Sequence, residues 1–238
     1  MPYRTMSLKE FAQFVGLDAR DVQREADRGQ LPGRKVGGKW RFNRAQVHEW
    51  LDQHMPTQDE KRLGAFDSAL ARSARASEMI VTDMIGVESI ELTLRASTKT
   101  SVLHELVNLA QRTGLVYDGQ GLFEALRQRE EMVSTALPNG TAIPHPRAPM
   151  PYATAEPLIC VARVPNPIAF GAPGGSLTRL FILICNHDNE AHLHVLARLM
   201  RMLEHELVED LLAIEDPAGA LELMIAYEER IVKSLRRP

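Results

Sequence analysis

The chain is short of cysteine and of aromatic residues. Only Cys160 and Cys185 occur in 238 residues, and Phe, Trp and Tyr together make up 5%. Two cysteines exclude a four-thiolate zinc site, and no CxxC pair is present to start one. Both sit inside apolar runs, as expected for buried thiols in a reducing cytoplasm rather than for a disulfide. Long apolar runs are also missing. Leu180 to Cys185 is typical, so no segment reads as a membrane span. The opening MPYRTMSLKEF has no apolar core of the secretory kind.

What is present is ordinary for a globular chain: 45% hydrophobic and 25% charged residues, with a net charge of −3. The charge is uneven. Residues 1–54 carry ten Lys/Arg against seven Asp/Glu, and the remainder is acidic. Three zones follow from composition. Residues 1–54 form a small basic module. Residues 55–78, poor in large apolar residues, read as a linker, helical where Leu63, Phe66 and Leu70 recur. Residues 79–238 hold most of the apolar mass.

Local signals in the first zone are dense. Ser7 and Glu10 form a capping box ahead of Leu8, Phe11, Ala12 and Val15, and Gly16 ends that helix. Asp18 caps a second helix ending at Gly29. Gly37-Gly38 is a hairpin turn between Lys35-Val36 and Trp40-Phe42, and Asn43 caps a third helix carrying Val47, Trp50 and Leu51. The second helix presents Arg20, Arg24 and Arg28 at intervals of four, and the hairpin adds Arg34, Lys35, Lys39 and Arg41. Such a cationic face suits duplex phosphate, though a solvated charged face looks the same in sequence, and Asp18, Asp21, Glu25 and Asp27 partly neutralise it.

The order of these parts, from Ser7 through the "WRF" of residues 40–42 to the "EWL" of residues 49–51, resembles the excisionase/MerR-like winged helix-turn-helix domains, over residues 7–52. The resemblance implies DNA as a partner. Arg20, Arg24 and Arg28 would act from the recognition helix, and Lys35, Lys39 and Arg41 from the wing. DNA readers of this type commonly work in pairs, so a homodimer is compatible, although no heptads are present to carry one.

The main zone alternates short apolar runs (Ile90–Leu94, Leu158–Val164, Leu180–Cys185) with helical patterns. Those helices open at Ser97/Thr98, Asp118 and about Glu190, and recur over Glu206–Ala213 and Pro217–Arg230. The fold class expected is α/β, a mixed sheet flanked by helices, beside the small N-terminal winged domain. Its unusual stretch is residues 133–151, with prolines at 138, 144, 146, 149 and 151 and His145 between two of them. Proline stiffens the backbone on both sides of an imidazole that is nucleophilic at neutral pH. An exposed loop histidine would read the same way.

Residues 79–230 resemble the fructose/mannitol-type enzyme IIA domain of the phosphotransferase system, including its nitrogen-regulatory branch. The resemblance is carried by Asn139-Gly140-Thr141-Ala142-Ile143-Pro144-His145, by Arg129-Glu130 before Ser134-Thr135, and by the run from Glu190 to Leu196. It implies that His145 accepts a phosphoryl group from an HPr-type phosphocarrier, for a IIB domain or as a regulatory mark, with no cofactor and no metal. His192, Arg129, Ser134, Thr135 and helix N-terminal amides would hold the phosphoryl oxygens. The chain would then be a phosphohistidine carrier rather than a turnover enzyme. One residue departs from the family: Pro146 stands where glycine is usual and offers no N–H, which bears on transfer through His145.

Two functions are expected on this footing: a cytoplasmic regulator joining DNA binding to phosphotransferase state, or a IIA carrier for sugar uptake whose N-terminal module docks protein. The histidines and acids from His187 to His194 do not have metal-ligand spacing on a helix, and His48, His54, His104 and His205 read as surface or edge residues.

Overall fold

The computed structural model describes residues 5–73, 79–203 and 206–235. Residues 74–78 and His205 lie outside them. The chain divides into two compact units. The first comprises residues up to 78 with Leu193–Arg201, and the second Met79–His192 with the residues from Met202 onward.

In the first unit, strands β1 (Thr5–Ser7), β2 (Gly33–Val36) and β3 (Lys39–Asn43) make an antiparallel sheet in the order β1-β3-β2. Helices α1 (Leu8–Val15), α2 (Ala19–Asp27), α3 (Arg44–His54) and α4 (Glu60–Ser73) pack with it. The caps read from sequence are in place. The Glu10 amide donates to Ser7 Oγ at 3.3 Å while the Ser7 amide donates to the Glu10 carboxylate at 2.7 Å. Asp18 accepts from the Arg20 amide, and Asn43 from those of Ala45 and Gln46. Each such cap satisfies amides a helix start leaves open, worth about 1 kcal/mol. Gly37 and Gly38 have φ +57° and +75°, the two-residue turn whose twist matches a hairpin. β1 has no sequence signal of its own; it exists because Met6 pairs with Phe42 and both are buried.

Residues 60–73 of the expected linker are α4, with Leu63, Phe66 and Leu70 buried. Phe66 meets Phe14 edge-on at 5.7 Å. At Gly16 (φ +69°) a side chain would come within 2.3 Å of the Ala65 carbonyl, so only glycine lets α1 and α4 approach this closely.

Also in the first unit is Asp67, fully buried. Its carboxylate receives His194 Nε2 at 3.0 Å, Arg198 Nε and Nη2 at 2.8 and 2.9 Å, and Arg201 Nη1 at 2.6 Å. Arg201 Nε also reaches Glu60 at 2.8 Å. Burial pushes the Asp67 carboxyl up, but the hydrogen bonds from His194, Arg198 and Arg201 and the Arg198 charge outweigh it. The group is held well below the usual carboxylate range.

The second unit is built on the sheet β4 (Ile90–Glu91), β6 (Leu158–Ile168), β7 (Thr178–Cys185), β5 (Thr141–Ala142), in that order. β6 and β7 are antiparallel, whereas β4 on β6 and β5 on β7 are parallel. β6 runs past the expected Val164; its register shifts between Arg163 and Ile168, where Pro165 and Pro167 are exposed and cannot donate. One face, with Cys160, Ala162, Phe181, Leu183 and Ala142, packs on α5 (Lys99–Arg112) and α6 (Gly119–Met132). Ile159, Val161, Ile182 and Ile184, on the opposite face, are equally buried. Burial of both faces explains why these strands read as continuous apolar runs. Helices α7 (Asn189–Met202), α8 (Glu206–Ala213) and α9 (Pro217–Leu235) follow. Buried Glu228 on α9 accepts from the Val81 and Thr82 amides and the Thr82 hydroxyl at 2.7–3.0 Å, anchoring the start of the unit.

Candidate functional site

His145 lies just beyond β5, at the sheet edge where the parallel strands β5 and β7 both end. Pairing continues past the strand, since the Ile184 amide donates to the Pro144 carbonyl at 3.0 Å. The turn leading into β5 is built by Asn139-Gly140. Asn139 donates to the Leu203 carbonyl and accepts from the Thr141 amide, and Gly140 (φ +82°) offers its carbonyl to the amides of Arg179 and Leu180. The motif residues before the histidine therefore fix the path of the strand that delivers it.

The ring is 3% exposed, which sets aside the exposed-loop reading. His145 Nδ1 is 2.7 Å from the Ile143 carbonyl. A carbonyl only accepts, so Nδ1 carries the proton, and in the neutral ring the lone pair is on Nε2. The His192 ring stands beside it, centroids 4.7 Å apart and tilted by 46°. The structure thus brings His145 and His192 together.

The other expected helpers are differently employed. The Ser134 hydroxyl is 2.7 Å from the Glu130 carboxylate and 2.9 Å from the Phe170 carbonyl. The Thr135 hydroxyl donates to Glu130 at 2.6 Å, and the Thr135 amide at 3.0 Å. Both hydroxyls were expected to donate to a phosphoryl group; here a buried carboxylate holds them because it is the nearest charged acceptor. Lys99 Nζ completes this cluster at 2.9 Å from Glu130. Arg129 is buried, with Nη1 donating to the Val133 carbonyl at the end of its own helix. Glu130 was named in sequence only beside Arg129; its spacing of four before Ser134 was the signal for its role. The start of α7 is also occupied: Asp188 accepts from the Ala191 amide at 2.8 Å and, through its carbonyl, from the His192 amide. That leaves the helix N-terminus less available to an anion than expected.

His187 Nε2 bonds Thr154 Oγ1 at 2.9 Å, and His194 turns to Asp67. Neither cysteine offers a nucleophile. Burial pushes the Cys185 thiol up to about 12 and raises Cys160 as well, the neighbouring Cys185 adding to the latter.

In the first unit Arg20, Arg24, Arg28, Lys35 and Lys39 are exposed, and Arg41 is half-buried. Arg24 pairs with Asp21. Lys35 pairs with Asp27 at 3.0 Å and lies over the Trp40 ring. Strand alternation divides the wing. Lys35 pairs in register with Trp40 and shares its face, whereas Lys39 and Arg41 project from the other face, where Arg34 pairs with Arg41. Arg34 and Arg41 line a cavity of about 580 Å³ together with Gln46, Glu49 and Gln53 of α3. The expected wing cations are therefore divided between the two faces of the hairpin.

Comparison with known proteins gives this arrangement a class. Residues 83–226 match the family described as phosphoenolpyruvate-dependent sugar phosphotransferase system, EIIA 2, and the chain belongs to it. Residues 5–55 match the helix-turn-helix domain family. More particularly, the chain is similar to a nitrogen regulatory protein of Pseudomonas aeruginosa, 34% identical over 126 residues, 52% of this chain and 80% of that protein. A nitrogen regulatory protein of Bradyrhizobium diazoefficiens is 31% identical over 62% of this chain and 95% of its own. The fructose-specific EIIABC component of Bacillus subtilis is 25% identical over 63% of this chain, and the match spans about a quarter (24%) of that relative's length. Among solved structures, IIA mannitol of Escherichia coli superposes with a TM-score of 0.53 at 26% identity, covering 59% of this chain and 98% of that one. IIA-Ntr of Neisseria meningitidis, at 22% identity and a TM-score of 0.55 over 61% of this chain and 99% of its own, shares the fold. Among the described residues no helix is long and apolar enough to cross a membrane.

Proposed function

We propose that His145 accepts a phosphoryl group on Nε2 from an HPr-type phosphocarrier, and that the chain is a cytoplasmic regulator whose helix-turn-helix unit binds DNA according to that state. The observation that carries the reading is the 2.7 Å contact between His145 Nδ1 and the Ile143 carbonyl, which assigns the tautomer. With Nδ1–H held by the Ile143 carbonyl, the lone pair is on Nε2, beside the His192 ring. In-line transfer breaks the donor's N–P bond as the Nε2–P bond forms. Nδ1 keeps its proton, so no base is needed. His192 is suited to donate to a phosphoryl oxygen, and Arg129 to supply positive charge nearby. Proline at 146 removes an amide from the oxygens, which leaves the carrying of the anion to side chains.

The test is incubation with phosphoenolpyruvate, enzyme I and HPr, followed by mass spectrometry that preserves phosphohistidine. One acid-labile phosphate is expected, lost in His145→Ala. DNA retention is then measured for both forms against salt. Equal affinity and equal salt slope for the phosphorylated and His145→Ala proteins would refute regulation of DNA binding.

A second reading, a IIA carrier for sugar uptake with the N-terminal unit docking protein, is favoured by the likeness to fructose EIIA components and to IIA mannitol. The latter has been solved in complex with phosphorylated IIB mannitol. Phosphoryl flow to a IIB cysteine with no DNA retention at low salt would select it.

A further inference from the structure

Asn186 is the first residue after β7 and is 93% covered by its surroundings, at 7% exposure. Its Nδ2 makes no hydrogen bond. A buried amide N–H without an acceptor is costly, because water that would otherwise serve it has been removed. Thr141 Oγ1, Thr178 Oγ1 and Arg179 Nε, among the buried polar atoms in this state, belong to strands, ahead of the edge where His145 stands. Asn186 lies at that edge.

Strand alternation says which way it faces. Leu183 and Cys185 point to the core shared with α5 and α6, as does Ala142 on β5. Ile182 and Ile184 point to the opposite face, and the same alternation carried one residue beyond the strand assigns Asn186 to it. On β5, Ile143 and His145 alternate with Ala142 and take that opposite face too. The parallel register pairs Thr141 with Leu180, and the bond from the Ile184 amide to the Pro144 carbonyl continues it. With strand spacings of about 4.8 Å across and 3.3 Å along, the α-carbons of His145 and Asn186 are then roughly 8 Å apart on one face. That separation accommodates one tetrahedral anion between an imidazole nitrogen and a carboxamide.

We infer that Asn186 is a catalytic residue of the phosphoryl site, its Nδ2–H donating to an oxygen of the group on His145 Nε2. The inference rests on His145 being the acceptor. It explains why the amide is left without a partner in the unphosphorylated protein: the site is organised for an anion that arrives later. A neutral donor also suits a position near Asp188 at the start of α7, and it takes the place of the amide that Pro146 cannot supply.

The test uses the full chain. Asn186→Ala and Asn186→Leu are phosphorylated through HPr, with rate and phosphohistidine half-life compared with the unaltered protein. Phosphorylation is expected to slow by roughly tenfold, the weight of one hydrogen bond to a charged group. Thermal midpoints report any structural role: Asn186→Leu is expected to melt no lower than the unaltered chain, since it removes an unpaired buried amide. Equal rates and half-lives, or a rate loss matched by a falling midpoint in both variants, would overturn the inference. If the unaltered protein takes no label, the reading of His145 fails by itself. The side-chain amide resonance of Asn186 during titration with inorganic phosphate then decides the anion site. A saturable shift sustains it, and no shift removes it.

Discussion

Two buried carboxylates organise two regions of this chain, and they do so differently. Asp67 collects donors brought from 127 to 134 residues away in sequence: His194 and the guanidinium groups of Arg198 and Arg201. Glu130 collects donors four and five residues ahead of it, the hydroxyls of Ser134 and Thr135 and the Thr135 amide, and adds Lys99. The first is a tertiary lock, in which removing the anion strands several buried positive groups. The second is a local brace that sets the turn entering the strand that delivers His145. Long-range charge pairing holds a unit together, whereas short-range neutral donors shape a site.

The largest effect that would break this contrast is expected at Asp67. Asp67→Ala leaves Arg198, 1% exposed, without its counter-charge, and should cost about 3–5 kcal/mol in urea unfolding at pH 7. A loss below 1 kcal/mol would make the cluster ornamental. The pH dependence follows from the lowered carboxyl. Stability from Asp67 is complete above its unfolded value of 3.8 and is lost as pH falls through its lower folded value. Asp67→Asn should therefore flatten the acid limb of a stability–pH curve below 3.8 while leaving the neutral arm level in slope. Glu130→Gln is next. It places an amide where the Thr135 N–H and hydroxyl need acceptors, and should cost about 1–3 kcal/mol. It should also slow labelling of His145 by displacing the turn. Thr135→Val is the smallest, about 1 kcal/mol, with labelling nearly unchanged because the hydroxyl serves Glu130. A large loss of labelling with stability intact would instead make Thr135 a phosphoryl donor.

Much of this molecule is legible in its sequence where causes are local. Ser7, Asp18, Asn43, Thr98 and Asp118 each start a helix through their own side chains, and glycines at 37 and 38 turn the wing. The pairing of His145 with His192 was legible through family resemblance, since 47 residues separate the two in the chain. Strands β1 and β5 were not, because two or three residues become a strand only when a distant partner supplies the ladder. Asp67 was not either. Between Phe66 and Ser68 it reads as the wet side of a helix, and the cations that bury it are encoded on α7. That the hydroxyls of Ser134 and Thr135 bond Glu130 was not legible either, because sequence gives a residue's capacity to donate, while packing decides to whom.

The tether from His145 Nδ1 to the Ile143 carbonyl has a stereochemical consequence. An imidazole pinned at one nitrogen cannot turn over between turnovers, so every donor must approach from a single side and along a single axis. A chiral thiophosphoryl group passed in line to the remaining nitrogen would arrive with its configuration inverted once, and a racemic product would mean passage through a free, metaphosphate-like species instead.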